Sequence, residues 1–157
     1  REILGIDLAP TQAPMATLAG FTQFTSSQDA AELRERSGSD GWDLVVTCAH
    51  GAKPLKLAFD IVRRGGAVVV IGGGPETNKL EIPANLFVVG DLHIEGILGY
   101  TTQSWIRTLD LVSSGQLHLG DLITHRKPLS QFAEALELVE SRHEPMGKVA
   151  ISFADGA

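Results

Sequence analysis

Residues 43–73, DLVVTCAHGAKPLKLAFDIVRRGGAVVVIGG, decide the fold. The stretch opens with the apolar run Leu44 Val45 Val46 and closes with Ala67 Val68 Val69 Val70 Ile71, both rich in β-branched residues and bounded by glycine or acid. Runs of that kind read as buried strands. Between them Leu55, Leu57, Ala58, Phe59, Ile61 and Val62 give one apolar helical face. Lys53, Lys56, Asp60, Arg63 and Arg64 fall mostly on the other, and Gly65 Gly66 is expected to end the helix. Joining two buried strands through one amphipathic helix needs a crossover, so the strands should be parallel and the connection right-handed. A parallel α/β sheet with helices on its faces follows.

Composition agrees with that class. A chain of 157 residues, 43% hydrophobic and 20% charged, is long enough for one domain with a real core. Thirteen basic against 19 acidic side chains give a formal net charge of -6, with no basic block and no aromatic-basic interleaving. Nucleic acid and anionic membrane are therefore poor candidates as partners. The single cysteine, Cys48, can build neither a disulfide framework nor a cysteine zinc cluster within one chain, which fits a reducing, cytoplasmic setting. No apolar run approaches the roughly 20 residues of a membrane span, and no basic-then-apolar leader opens the sequence, so a soluble protein is expected.

Upstream, Glu2–Asp7 reads as a strand ending in an acid. Leu8 Ala9 Pro10 turns into a helix from about Thr11 to Gly20, with Pro10 near its start, where a missing N–H costs nothing. Phe21–Phe24 is a short strand, Thr25–Gln28 offers caps to a helix reaching about Arg36, and residues 37–41 form a loop. Downstream, Gly72 Gly73 Gly74 Pro75 and the polar Glu76–Lys79 form a loop. Pro83–Val89 is a short helix, His93–Leu98 a strand, Trp105–Ser114 a helix stopped by Gly115, and Leu122–Thr124 a strand. Ser130 is expected to cap an amphipathic helix carrying Phe132, Ala133, Leu136, Leu138 and Val139, and Lys148–Phe153 is a final strand. No internal repeat or low-complexity linker interrupts the series.

Asp7 at a strand end, then DLVVTCAHG, RRGGAVVVIGGG, IEGILGYT, LVSSGQL, LITHRKPLSQFAEALELVES and GKVAISF, in this order and spacing, resemble the C-terminal portion of medium-chain zinc-type alcohol dehydrogenases. The wording GYT, SGQL and LITH is similar to the alcohol, polyol, threonine and butanediol branch. The resemblance implies a Rossmann-like, doubly wound parallel sheet, truncated at its N-terminus. In the family a first strand, a G-x-G-x-x-G turn holding the pyrophosphate and a zinc-bearing catalytic domain all come earlier. Loss of the central first strand would leave its neighbours to pair directly or to expose edges. Residues 1–122 would be the dinucleotide-binding domain and 123–157 the segment that returns to the catalytic domain. The cofactor implied is NAD, with zinc confined to the part not represented here, so the isolated chain is expected not to catalyse.

Site residues carried over by the resemblance are cofactor-binding ones, without catalytic or metal-ligating residues. Asp7, with Leu8 after it, matches the acid that accepts hydrogen bonds from the adenosine ribose and repels the extra phosphate of NADP; the plainer reading is an Asp capping its own turn. Gln12 stands where relatives often carry a basic residue. Cys48, Ala49 and His50 match the strand end beside the adenine and its ribose, and Cys48 reads as a small buried hydrophobe rather than a reactive thiol, since no motif activates it. Ile71, Gly72 and Gly73 match the strand end whose backbone meets the nicotinamide amide, and the glycines also suit a plain turn. Ile97 and Leu98 match a segment near the nicotinamide and the subunit interface, where the strand around His93–Leu98 pairs with its twin in a homo-oligomer. His93, His118, His125 and His143 are scattered and lack H-x-x-x-H spacing, and Arg126 Lys127 reads as a solvated pair. Two other classes remain open: an oligomerisation or binding module that has lost the cofactor, and part of a zinc-free quinone or enoyl reductase, which Asp7 disfavours because such enzymes usually prefer NADP.

Overall fold

The computed structural model describes residues 2–38, 40–73 and 79–153. The chain divides into two compact units, one formed by Ser27–Tyr100 and the other by the segments before and after it. All strands pair in parallel, in sheets of two, three and two strands. The architecture is Rossmann-like α/β, with the hydrogen-bonded ladder divided among three sheets rather than continuous.

In the central unit, β3 (Trp42–Thr47), α3 (Ala52–Ile61) and β4 (Val62–Val70) form the expected crossover, with Leu44–Thr47 pairing in register against Ala67–Val70. β5 (His93–Gly96) adds on the other side of β4, with α2 (Ala30–Glu35) before the sheet and α4 (Leu86–Gly90) before β5 in sequence. One face of the sheet is closed: Ala58, Phe59, Val62 and Val68 are buried together, flanked by Val45, Leu55, Val70, Leu86 and Leu92. Phe59 meets Phe87 edge to face, 6.4 Å between centroids, an arrangement that the ring quadrupoles favour.

The α3–β4 junction corrects the sequence reading. The helix ends at Ile61, not at the glycine pair; Val62 is already extended, and Gly65 Gly66 lies within the irregular start of β4, opposite the bulged Trp42/Leu44 step. Gly65 has φ +68, and a Cβ on Gly66 would stand 2.6 Å from the Val62 side chain and 2.9 Å from the Arg63 carbonyl oxygen. Glycine serves a bulge here rather than a cap. A second correction concerns burial: Val45 faces the core, while Leu44 and Val46 are 55% and 49% exposed. Side chains alternate across a strand, so an all-apolar run does not make both faces buried.

The other unit contains β1 (Leu4–Ile6) paired with β2 (Gln23–Thr25), linked through a 3-10 turn at Pro10–Gln12 and α1 (Ala13–Leu18). It also contains α5 (Thr102–Ser113) and the pair β6 (Ile123–Pro128) and β7 (Lys148–Ser152), linked through α6 (Phe132–Ser141). Two caps differ from expectation. Asp29, rather than residues 25–28, caps α2 by accepting from the N–H groups of Ala31 and Glu32 at 2.8 and 3.1 Å. Ser130 lies in a 3-10 turn, and α6 starts from Gln131 without a side-chain cap. Within the loop expected over residues 72–79, Gly74–Asn78 lies outside the described residues.

Candidate functional site

In the central unit the carboxyl ends of three adjacent parallel strands come to one edge of the sheet. β3 runs out into Cys48, Ala49 and His50, β4 into Ile71, Gly72 and Gly73, and β5 into Ile97 and Leu98. The N–H groups of Ile71 and Gly72 donate to the Thr47 carbonyl oxygen at 2.9 and 3.1 Å, and Ile97 N–H donates to Val70 O at 2.9 Å, so the ladder holds these exits side by side. A Cβ on Gly72 would lie 2.3 Å from the Ala49 carbonyl oxygen, so only glycine permits this approach of backbone to backbone. The His50 ring Nδ1 meets the Gly73 carbonyl oxygen, tying the first and second exits together.

Cys48 is exposed, which corrects its reading as a buried hydrophobe. It is the first residue beyond the buried Thr47, where the chain has already left the core. Ala49, His50, Ile71 and Gly73 are also exposed, and Leu98 is fully so. Beneath them the Thr47 hydroxyl is buried and has no hydrogen-bond partner among the described residues. The carboxyl ends of parallel strands are where α/β sheets of this kind take ligands.

Asp7, in the other unit, sits just beyond β1. Its N–H donates to Thr25 O at 3.3 Å, and its Oδ1 accepts from Ala9 N–H at 2.9 Å, which is the capping geometry of an Asx turn. Its second oxygen, Oδ2, lies 3.8 Å from an Arg142 guanidinium nitrogen and makes no direct hydrogen bond. Capping thus uses one oxygen, and the other faces Arg142. Leu8 is exposed beside it. Arg142, which the sequence reading missed, follows α6 with φ +46; it is 135 positions from Asp7, and no local pattern announces the pair. Gln12 is buried, its amide nitrogen without a partner among the described residues, and so is not a solvent-facing substitute for a phosphate-binding cation.

Two of the remaining histidines make side-chain contacts within the protein. His125 lies 3.3 Å from Glu144 and 2.8 Å from the Thr124 hydroxyl, and His143 lies 2.7 Å from the Ser141 hydroxyl. Lys127 is paired with Glu134 at 3.3 Å rather than solvated alone, whereas Arg126 is exposed. Among the described residues no three His, Cys, Asp or Glu side chains are grouped as a metal ion would require, and no helix is long and apolar enough to cross a membrane.

Comparison with known proteins gives a family model for zinc-binding dehydrogenases matching residues 2–114. The chain belongs to the zinc-binding dehydrogenase family. D-xylulose reductase of Saccharomyces cerevisiae is 26% identical over 156 residues, covering 94% of this chain and 42% of that protein. Alcohol dehydrogenase TADH from Thermus sp. ATN1 superposes with a TM-score of 0.80 at 26% identity, covering 96% of this chain and 44% of that one. An alcohol dehydrogenase (rspB) from E. coli CFT073, solved with cofactor NADH, superposes with a TM-score of 0.82 at 20% identity over 98% of this chain and 45% of that chain, which bears on the fold. This zinc-binding dehydrogenase chain therefore spans less than half the length of the relatives it matches, and it corresponds to their C-terminal, cofactor-binding portion.

Proposed function

We propose that this chain supplies part of the NAD cradle of a zinc-type alcohol dehydrogenase, an enzyme moving a hydride between an alcohol carbon and nicotinamide. The observation that carries the reading is the alignment of the β3, β4 and β5 exits at one sheet edge, with Gly72 packed backbone to backbone on Ala49. The residues present fit the cofactor in part. In the central unit the backbone at Ile71–Gly73 can meet the carboxamide, and the exposed Cys48, Ala49 and His50 leave room for the adenine side; in the other unit, taken by itself, Asp7 Oδ2 can accept from a ribose hydroxyl. Ile97 and Leu98 would bound the nicotinamide end. The chain's sequence contains no G-x-G-x-x-G, so the pyrophosphate contacts would come from elsewhere. When bound, the cofactor would supply the hydride acceptor or donor, and a zinc ion held outside this segment would supply the Lewis acid for the alcohol oxygen. Residues 1–122 would serve the cofactor and 123–157 the return to a catalytic domain. Alone the chain is expected to be inactive, and a reducing cytoplasmic setting suits its single thiol.

Titration of NAD and NADP by calorimetry tests this. Asp7→Asn is the informative variant, because its side-chain oxygen can still accept from Ala9 N–H while the charge is lost. Saturable NAD binding, weakened about ten-fold in Asp7→Asn, is the expected result, the charged hydrogen bond being worth about 1.5–3 kcal/mol. Identical binding by both proteins would remove Asp7 from the site.

One observation favours a second reading. Arg142 stands 3.8 Å from Asp7, where it partly offsets the carboxylate charge, and in such folds a nearby arginine can accommodate the 2′-phosphate of NADP. Preference for NADP, lost in Arg142→Ala, would move the chain toward the zinc-free quinone and enoyl reductases.

A further inference from the structure

At the opposite end of the central sheet from the strand exits lies a cavity of about 290 Å³. Phe59 and Val62 form its buried floor and Leu86 and Leu92 its half-buried sides. Three arginines, Arg34, Arg63 and Arg64, also line it. Arg63 is balanced by Asp43, its Nε donating at 2.6 Å. Arg34 is held by neutral groups, Nη1 donating to the Asp60 carbonyl oxygen at 3.0 Å and Nη2 to the Asp40 carbonyl oxygen, so its position is fixed and its charge is not cancelled. Arg64 is exposed. Among the described residues no carboxylate comes within 4.0 Å of Arg34 or Arg64. In a chain of formal net charge -6, two uncompensated cations therefore border one apolar hollow.

We propose that this cavity binds a small aliphatic monocarboxylate, its tail on Phe59, Val62, Leu86 and Leu92 and its carboxylate on the Arg64 guanidinium. The chemistry selects that class on three counts. The floor is hydrocarbon, so the occupant needs an apolar body. A guanidinium matches a planar carboxylate through two parallel hydrogen bonds, and Arg64 has its donors available. Arg34, held in place in the lining, adds a field that favours one negative charge over a neutral head group. The volume lies near the lower limit of small-molecule sites, roughly 300 Å³, which fits a short chain rather than a long acyl tail. The site is separate from the proposed cofactor cradle and does not depend on it.

Hexanoate is the probe, and hexanamide is the uncharged control of the same length. Amide shifts of the full 157-residue chain, followed by NMR through a hexanoate titration, should saturate at Phe59, Val62, Leu86 and Leu92. Hexanamide should bind about ten-fold more weakly, and Arg64→Gln should weaken hexanoate by a similar factor while the amide spectrum elsewhere stays unchanged. Arg64→Lys, which keeps the charge without the fork, should fall between. Shifts that fail to saturate, equal binding of acid and amide, or an Arg64→Gln protein that binds hexanoate as well as the parent would each overturn the assignment.

Discussion

Gly72 is the residue on which the strand exits depend most directly. A methyl group there would stand 2.3 Å from the Ala49 carbonyl oxygen and 2.7 Å from the carbonyl carbons of Ala49 and Cys48, all of them backbone atoms. Gly72→Ala must therefore push the β3 and β4 exits apart, and a destabilisation of about 1–3 kcal/mol is expected in urea unfolding, together with weaker NAD binding. Gly73→Ala, with nothing among the described residues within 4 Å of its added methyl, is the control and should leave stability nearly unchanged. Glu32 gives a pH-dependent counterpart. Hydrogen bonds from Ser27 at 2.5 Å and from Arg36 hold its carboxyl below the ordinary glutamate range. Because the folded value is lowered, the contribution is present above the unfolded pKa and fades as pH falls through the folded one. Ser27→Ala should move the Glu32 carboxyl titration upward when followed by NMR, and any stability difference between the two proteins should vanish in acid. Superimposable titration curves would mean that the Ser27 bond does not form in solution.

Helices and strands were readable from the sequence to the extent that periodicity alone sets them. The alternation of two β-branched runs around an amphipathic helix required β3–α3–β4 and its parallel pairing, and both are present. What was not readable involved partners distant in sequence. The helix stop at Ile61 depends on the bulge opposite Trp42/Leu44, and the exposed faces of Leu44 and Val46 follow from what packs on each side of the sheet. At the strand exits, the close approach of Gly72 to Ala49 was legible because glycine marks such approaches. Arg142 beside Asp7 was not, since α6 and its unusual terminal φ bring them together across 135 positions. The same contrast makes a prediction about local stability. β4 is paired on both sides over Ala67–Val70, and Val68 is wholly buried, whereas β1 and β2 share only three paired positions. Hydrogen exchange should be slowest for Val68–Val70 amides and much faster for Leu4–Ile6, because opening free energy follows burial and ladder length. Comparable protection in the two sheets would show that they open only together.

For the molecule as a whole, the outer edge of β5 offers a route to self-association. β5 pairs with β4 on one side only among the described strands, and all four of its residues are exposed. Ile97 N–H points inward to Val70 O, so by strand alternation the N–H groups of Ile94 and Gly96 face the free edge. An unpaired edge of this kind is a template for another strand, and a two-fold axis through it would let two β5 strands pair antiparallel and continue the sheet into a second copy. Sedimentation should then give a dimer at micromolar concentration, and Ile94→Pro, which removes one outward donor without touching the β4 ladder, should give a monomer with an unchanged far-UV spectrum. Ile94→Lys tests the same edge by charge, since two lysines would meet near the axis, and should also shift the equilibrium to monomer. If the parent chain sediments as a monomer, the edge is protected some other way; if the dimer survives both substitutions, the association uses a different surface, such as the exposed apolar face of Trp105, Ile106 and Leu109 on α5.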